Sequence, residues 1–260
     1  MAKFAGAAEP LTRQGFGAVV EDLGVGVPEF VALLAVESKT CGFLPDRRPV
    51  ILFERHWFHK LTGGRFSAAN PDISNPSAGG YAFMGKEYAR LEKAIKLDRT
   101  AALKSASWGA GQVMGFNHAM VGWPDVESMV ADMQASEDLQ LKAVAGYLKA
   151  NQLVAALEAH DWARVARGYN GSNYAKNKYD ARLEGEYLRF STGILVPDIE
   201  LRRVQLYLTY LGETLDVDGV YGKRSRAAVV KFRESQGMAG GERIDKALIE
   251  ALQAKVRALS

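Results

Sequence analysis

Glu37 closes the apolar run VPEFVALLAVES, and Glu54 ends a second apolar run, VILFE, 17 positions later. Two carboxylates joined by so short a link suit general acid/base work on a glycosidic bond, one donating a proton and the other working as an anion. Phe30, Leu33, Leu34 and Glu37 fall at helical spacing on one face. At the C-terminal end of an apolar helix, desolvation and the helix dipole both disfavour a charged carboxylate, the environment a general acid needs. The same spacing is explained equally well by a structural glutamate that bonds backbone donors or pairs with Lys39 or Arg47. Glu54 precedes Arg55 and His56, cations that would keep it ionised as a base or stabilising anion. Taken alone, an ion pair with Arg55, Arg47 or Arg48 is its simpler explanation.

Two glycine-rich stretches offer groups for holding a polymer. WGAGQVMGFN contains Gln112 and Asn117, and GYNGSNY contains Tyr169, Asn170 and Tyr174. Glycines let a substrate approach the backbone, amides bind acetamido and hydroxyl groups, and aromatic rings stack on sugar faces. Each stretch alone reads more simply as a turn with its aromatics in the core. His56 and His59 stand three apart without a third ligand nearby, which favours packing or hydrogen bonding over a metal site. No metal and no cofactor are expected. Cys41, the single cysteine, excludes an intramolecular disulfide and reads as a small apolar residue.

The elements that position these residues are mostly helical. Thr12 caps a helix that Gly24 stops, and Pro28 opens the buried helix ending at Glu37. Further helices are predicted from about Met84 to Leu97, after Thr100, from Asp125, from Ser136, from Asp161, and from Tyr174 to Phe190. Strand signal is slight, with at most a small hairpin near residues 40 to 55. Residues 191–199 read as a linker. Beyond it, helices at 199–211, 225–236 and 245–259 make a small unit. The net charge of +3 lies wholly in this tail: residues 200–260 hold 11 Lys/Arg against 8 Asp/Glu, and the other 199 residues hold 22 of each. That excess is too small to indicate a nucleic acid. No segment reads as a signal peptide or a membrane span.

In order, AVESKTCGF, VILFERHWF, SWGAGQVMGFN and ARGYNGSNYAKNKYDARL resemble the N-acetylmuramidase domain of modular phage endolysins, across about residues 12 to 190. The resemblance implies a lysozyme-like fold, mainly α with little β, and cleavage of the β-1,4 bond after N-acetylmuramic acid. It places the catalytic acid at Glu37 and the second catalytic group at Glu54. Gln112, Asn117, Tyr169 and Asn170 fall on the groove motifs. The tail resembles a three-helix peptidoglycan-binding domain through LRRVQLYLTYLG and DVDGVYGKRSRAAVVKF, which places wall contacts at Asp218 and Tyr221. It departs from that pattern at Arg233, where glutamine is usual, and at MAGGERID, where a second aspartate-glycine turn is usual.

The expectation is therefore a catalytic domain over 1–190, a linker over 191–199 and a wall-binding domain over 200–260. The partner is bacterial peptidoglycan, with no nucleic acid and no stable membrane association, engaged by a monomer. Without a signal peptide, the chain is expected to be made in an infected cytoplasm and to reach the wall once the membrane is opened. Two other readings stay open. A lytic transglycosylase, which forms a 1,6-anhydro product without water, needs only one carboxylate. A non-catalytic wall-binding or virion-assembly protein needs neither.

Overall fold

Local caps set many of the helix ends. The structure, a computed structural model, describes residues 3–37, 41–82, 84–171, 174–193 and 197–259, with the backbone alone for Glu37 and Met84. The elements run α1 (Arg13–Leu23), α2 (Val27–Glu37), β1 (Ile51–Phe53), α3 (Arg55–Leu61), α4 (Glu87–Ile95), α5 (Arg99–Lys104), β2 (Ala106–Trp108), β3 (Val113–Met114), α6 (Val126–Ala135) and α7 (Glu137–Ala150). They continue with α8 (Val154–Glu158), α9 (Trp162–Asn170), α10 (Tyr179–Ser191), α11 (Ile199–Tyr210), α12 (Lys223–Ser235) and α13 (Lys246–Arg257). Thr12, Asp125, Ser136 and Asp161 each accept a backbone N–H from the first turn of the helix they open. Gly24 takes the left-handed conformation (φ 68°) that ends α1. The cap of α5 is Asp98 rather than Thr100: its extended backbone aims Oδ1 at the Ala101 N–H, 2.9 Å away, and Thr100 falls inside the helix.

The fold is mainly helical around one small antiparallel sheet in the order β1-β2-β3. Ile51 faces Trp108, Phe53 faces Ala106, and Trp108 faces Val113. The expected hairpin near 40–55 supplies one strand only; its partner lies more than fifty residues on, and the true hairpin is the WGAGQVM turn. Between Phe43 and Pro49 a single bridge forms. Pro49 has no N–H to extend a ladder, and Arg47 turns the backbone left-handed (φ 66°).

Three apolar clusters form the core. Phe16, Phe30, Leu33, Leu141, Leu148, Val165 and Leu183 join α1, α2, α7, α9 and α10. Phe53, Phe58, Tyr88, Leu91, Leu103, Trp108, Met129 and Met133 join the sheet to α3 through α6. The third gathers Leu208, Val229 and Leu252 of α11, α12 and α13, together with Ala8, Cys41 and Phe43 from the start of the chain. The C-terminal helices are thus seated on the N-terminal part. Of the segment 191–199, residues 194–196 lie outside those described. No helix among the described residues is long and apolar enough to cross a membrane.

Candidate active site

The end of β1 delivers Glu54, and it is fixed from behind. The Phe53 N–H donates to Glu87 Oε2 (3.2 Å), and the Phe53 carbonyl accepts from Arg90 Nη1 (2.9 Å). Glu87 and Arg90 are buried and paired at 2.8 Å, and Arg90 Nη2 donates to the Asp72 carbonyl (3.1 Å). The Glu54 N–H donates to the Ser105 carbonyl (2.9 Å). Glu54 occupies the N-cap position of α3, but its side chain does not cap the helix. The carboxylate instead receives the Tyr81 hydroxyl, 3.0 and 3.1 Å from its two oxygens. His56 Nδ1 stands 3.1 Å from Oε2, close enough for an ionic contact when the ring is protonated but not aligned as a hydrogen bond.

Tyr81 is held in place by the residue next to Glu54. Arg55 Nε donates to the Ser77 carbonyl (2.9 Å) and Nη2 to the Ala78 carbonyl (3.1 Å), strapping down the loop that precedes Tyr81. Gly79 and Gly80 turn that loop with φ of 100° and 73°, and a Cβ on Gly80 would sit 3.0 Å from Arg55 Nη1. Beyond Tyr81, the Ala82 N–H donates to Glu87 Oε1, so Glu87 fixes both Glu54's strand and Tyr81's loop. Burial, then the charge and hydrogen bond of Glu54, push the Tyr81 phenol up to about 12, so it stays a protonated donor at neutral pH. Arg55 therefore serves the loop rather than pairing with Glu54. Arg48 is held by Asp46 at 2.6 Å and lies over the Tyr88 ring.

The glycine-rich motifs meet beside this strand. The Val50 carbonyl, just before β1, accepts the Gly109 N–H (2.8 Å) and Gln112 Nε2 (3.2 Å). Gln112 Nε2 also donates to the Gly109 carbonyl (2.8 Å), and its Oε1 accepts the Ser107 hydroxyl (2.8 Å). Its amide thus ties the β2–β3 turn to the strand carrying Glu54, with both Nε2 hydrogens engaged. Tyr169, near the end of α9, donates its hydroxyl to the Gly111 carbonyl (2.8 Å) and packs edge-on against Tyr147. A Cβ on Gly111 would lie 2.1 Å from Val144 Cγ2, so the turn presses directly on α7. Asn170 closes α9, half-buried. Asn117 is half-buried at the end of a short 3-10 turn, Gly115–Asn117, in which Phe116 packs on Trp57 of α3 with ring centroids 4.3 Å apart.

Glu37 is the last residue of α2; its side chain, with residues 38–40, lies outside the described residues, as do Ser172 and Asn173 of the tyrosine-asparagine motif. Asp218 and Tyr221 lie in the turn between α11 and α12. Asp218 Oδ1 accepts Gln205 Nε2 (3.0 Å) and the Val220 N–H (2.9 Å). Tyr221 donates to the Glu242 carbonyl and lies under the Arg226 guanidinium. His59 bonds Ser67 (2.7 Å), and no group of three or more His, Cys, Asp or Glu among the described residues could hold a metal ion. Sequence reasoning passed over Tyr81, Glu87 and Arg90. The Gly-Gly before Tyr81 marked the turn but not its target, and a buried Glu-x-x-Arg pair has the same spacing as an exposed one.

An N-acetylmuramidase family model matches residues 26–191, covering all four ordered motifs up to the end of α10. Among solved structures, the chain is similar to the crystal structure of the Burkholderia AP3 phage endolysin. The two are 40% identical with a TM-score of 0.66, over 71% of this chain and 73% of that one. No curated protein matches it. The family model covers well over half of the chain and the related structure shares its fold, and the chain belongs to the N-acetylmuramidase family.

Proposed function

We propose that this peptidoglycan-hydrolysing endolysin cuts the β-1,4 bond between N-acetylmuramic acid and N-acetylglucosamine, with Glu37 as general acid and Glu54 as the second carboxylate. Glu37 passes its proton to the leaving N-acetylglucosamine oxygen as positive charge develops at the muramic acid anomeric carbon. Glu54 stabilises that charge or takes the proton of the attacking water. The observation that supports this reading is the setting of Glu54: a carboxylate at the end of a braced strand, bonded through both oxygens to a protonated phenol. Asn117 and Asn170 line the groove, while Gln112 and Tyr169 shape its floor. Glu37→Gln should abolish release of reducing ends from purified peptidoglycan while leaving the fold intact; near-normal activity would refute the assignment of the acid. Mass spectrometry of the wild-type digest decides the reaction: a 1,6-anhydro product would overturn hydrolysis in favour of transglycosylation.

The wall is the place of action, and the proposal extends to the C-terminal helices as a wall-binding unit reading peptidoglycan through the turn that holds Asp218 and Tyr221. Synthesis in the host cytoplasm, with passage after the membrane is opened, belongs to the same reading. Protein found outside cells whose membrane is intact would count against that route.

A further inference from the structure

The link between the two glutamates rests on the C-terminal helices. Cys41 and Phe43 lie in the cluster built by α11, α12 and α13. Arg47, buried, donates Nη1 to the Val256 carbonyl of α13 (3.3 Å). At the centre is Glu137, the fully buried first residue of α7. Its Oε1 accepts the Gly42 N–H (2.7 Å) and its Oε2 the Leu11 N–H (2.8 Å). Both oxygens also accept from Arg202 of α11, at 2.7 and 2.5 Å. A carboxylate without solvent keeps its charge only when it is countered. Here the countercharge comes from the C-terminal unit, while the backbone being held belongs to the catalytic link.

From Gly42 the bonds run straight to the site. The Gly42 carbonyl accepts the Val50 N–H (2.8 Å), and the Val50 carbonyl accepts Gly109 and Gln112. Val50 leads into β1, which ends at Glu54. A Cβ on Gly42 would lie 1.7 Å from Gln140 Oε1, so this backbone is pressed into the first turns of α7 as well. A buried ion pair of purely structural use could occupy any contact between two helical units. This one grips the backbone that Val50 joins to β1 and so to Glu54.

We propose that Arg202 is a positioning residue for the reaction: through Glu137 it sets the backbone of Gly42, and with it, through Val50 and β1, the placement of Glu54. The C-terminal unit is then a working part of the catalytic site as well as a wall anchor. This rests on the muramidase reading of the two glutamates.

The test uses the full chain and a soluble, peptide-free glycan of alternating N-acetylglucosamine and N-acetylmuramic acid, assayed well below the melting temperature of every variant. Arg202→Met should lower kcat about tenfold or more with little change in KM, since small displacements of catalytic groups carry costs of this order. Glu137→Gln/Arg202→Met should recover part of kcat, because the amide oxygen still accepts from Gly42 without needing a cation, while the amide NH2 stands against the Leu11 N–H. Should Arg202→Met fail to fold, Arg202→Lys keeps the charge but not the two-pronged geometry, and kcat should still fall. Wild-type kcat in either folded single variant would overturn the proposal and leave the pair a structural brace. Hydrogen exchange gives a readout independent of activity: amides over residues 41–54 should exchange faster in Arg202→Met or Arg202→Lys, and unchanged exchange there also overturns it. Wild-type protein inactive on this glycan would instead refute the muramidase reading, with the exchange data still judging the brace.

Discussion

Replacing Tyr81 by Phe removes one oxygen and tests what Glu54 is for. The phenol bonds both carboxylate oxygens, at 3.0 and 3.1 Å, so one donor is shared between two acceptors. A hydrogen bond to a charged group contributes about 1.5–3 kcal/mol. Tyr81 is 37% exposed, so water can replace part of what the hydroxyl supplies, and the lower end applies. About 1.5 kcal/mol corresponds to roughly a tenfold loss in kcat/KM if Glu54 must remain a placed anion in the transition state. The ring of a phenylalanine fills the same space, so the melting temperature should barely move. The assay is initial-rate release of reducing ends from purified peptidoglycan, beside thermal unfolding. Adding Glu54→Gln should cost less in the Tyr81→Phe background than in wild type, since residues acting as one unit are not additive. A Tyr81→Phe variant with the wild-type rate, or a strictly additive double variant, would refute the coupling.

Two further outcomes follow, the first from the charges between the two parts of the chain and the second from the C-terminal turn. Burial pushes the carboxyls of Glu137 and Glu9 up, but the charge and hydrogen bonds of Arg202 on the first, and the bonds of Tyr207, Arg257 and Gln253 on the second, hold both below the usual 4.5. A folded-state pKa below the unfolded value means that the unfolded chain binds more protons in acid, so this stability is complete above about pH 4.5 and drains away as pH falls further. The melting temperature should be flat from neutral pH down to about 5 and then fall; one that holds or rises toward about pH 3 would show that neither carboxylate is linked to folding in this way. In the C-terminal turn, Tyr221→Ala removes the ring that lies under Arg226 and the donor to the Glu242 carbonyl. Cosedimentation with purified cell-wall sacculi should drop several-fold, as loss of a stacking aromatic anchor implies; unchanged binding would move the wall contact elsewhere.

What the sequence made legible is what neighbours in the chain decide. Thr12, Asp125, Ser136 and Asp161 announce helix starts because a cap reaches only two or three residues ahead. The slip at Thr100 has the same origin: Asp98 was the better cap two positions earlier, and local propensity had two acceptable answers. Strand pairing was not legible, because Ile51 and Trp108 are brought opposite by tertiary packing rather than by any turn between them. The partners of Glu54 were hidden for the same reason. Arg55 is adjacent in sequence yet turns away to the carbonyls of residues 77 and 78, while Tyr81 comes from 27 positions on. Glu137 looks like an ordinary acid in a first helical turn. Nothing local tells that it is fully buried, or that its cation stands 65 residues later.

The position of Glu54 breaks a local rule, and the break is informative. Ser, Thr, Asp and Asn are favoured at an N-cap because a short side chain reaches the free N–H groups of the first turn; residues that cannot do so cost about 1 kcal/mol. Glu54 occupies that position without capping α3, and its carboxylate is turned instead to Tyr81 and His56. Local violations of this kind gather where function overrides stability. The two glutamates also stand at opposite helix ends: Glu37 closes α2, where the dipole opposes negative charge, and Glu54 opens α3, where it favours it. An acid that must hold its proton and a partner that must work without one require such opposite settings. Gly42 lies between them in sequence, its N–H held by the buried Glu137 carboxylate.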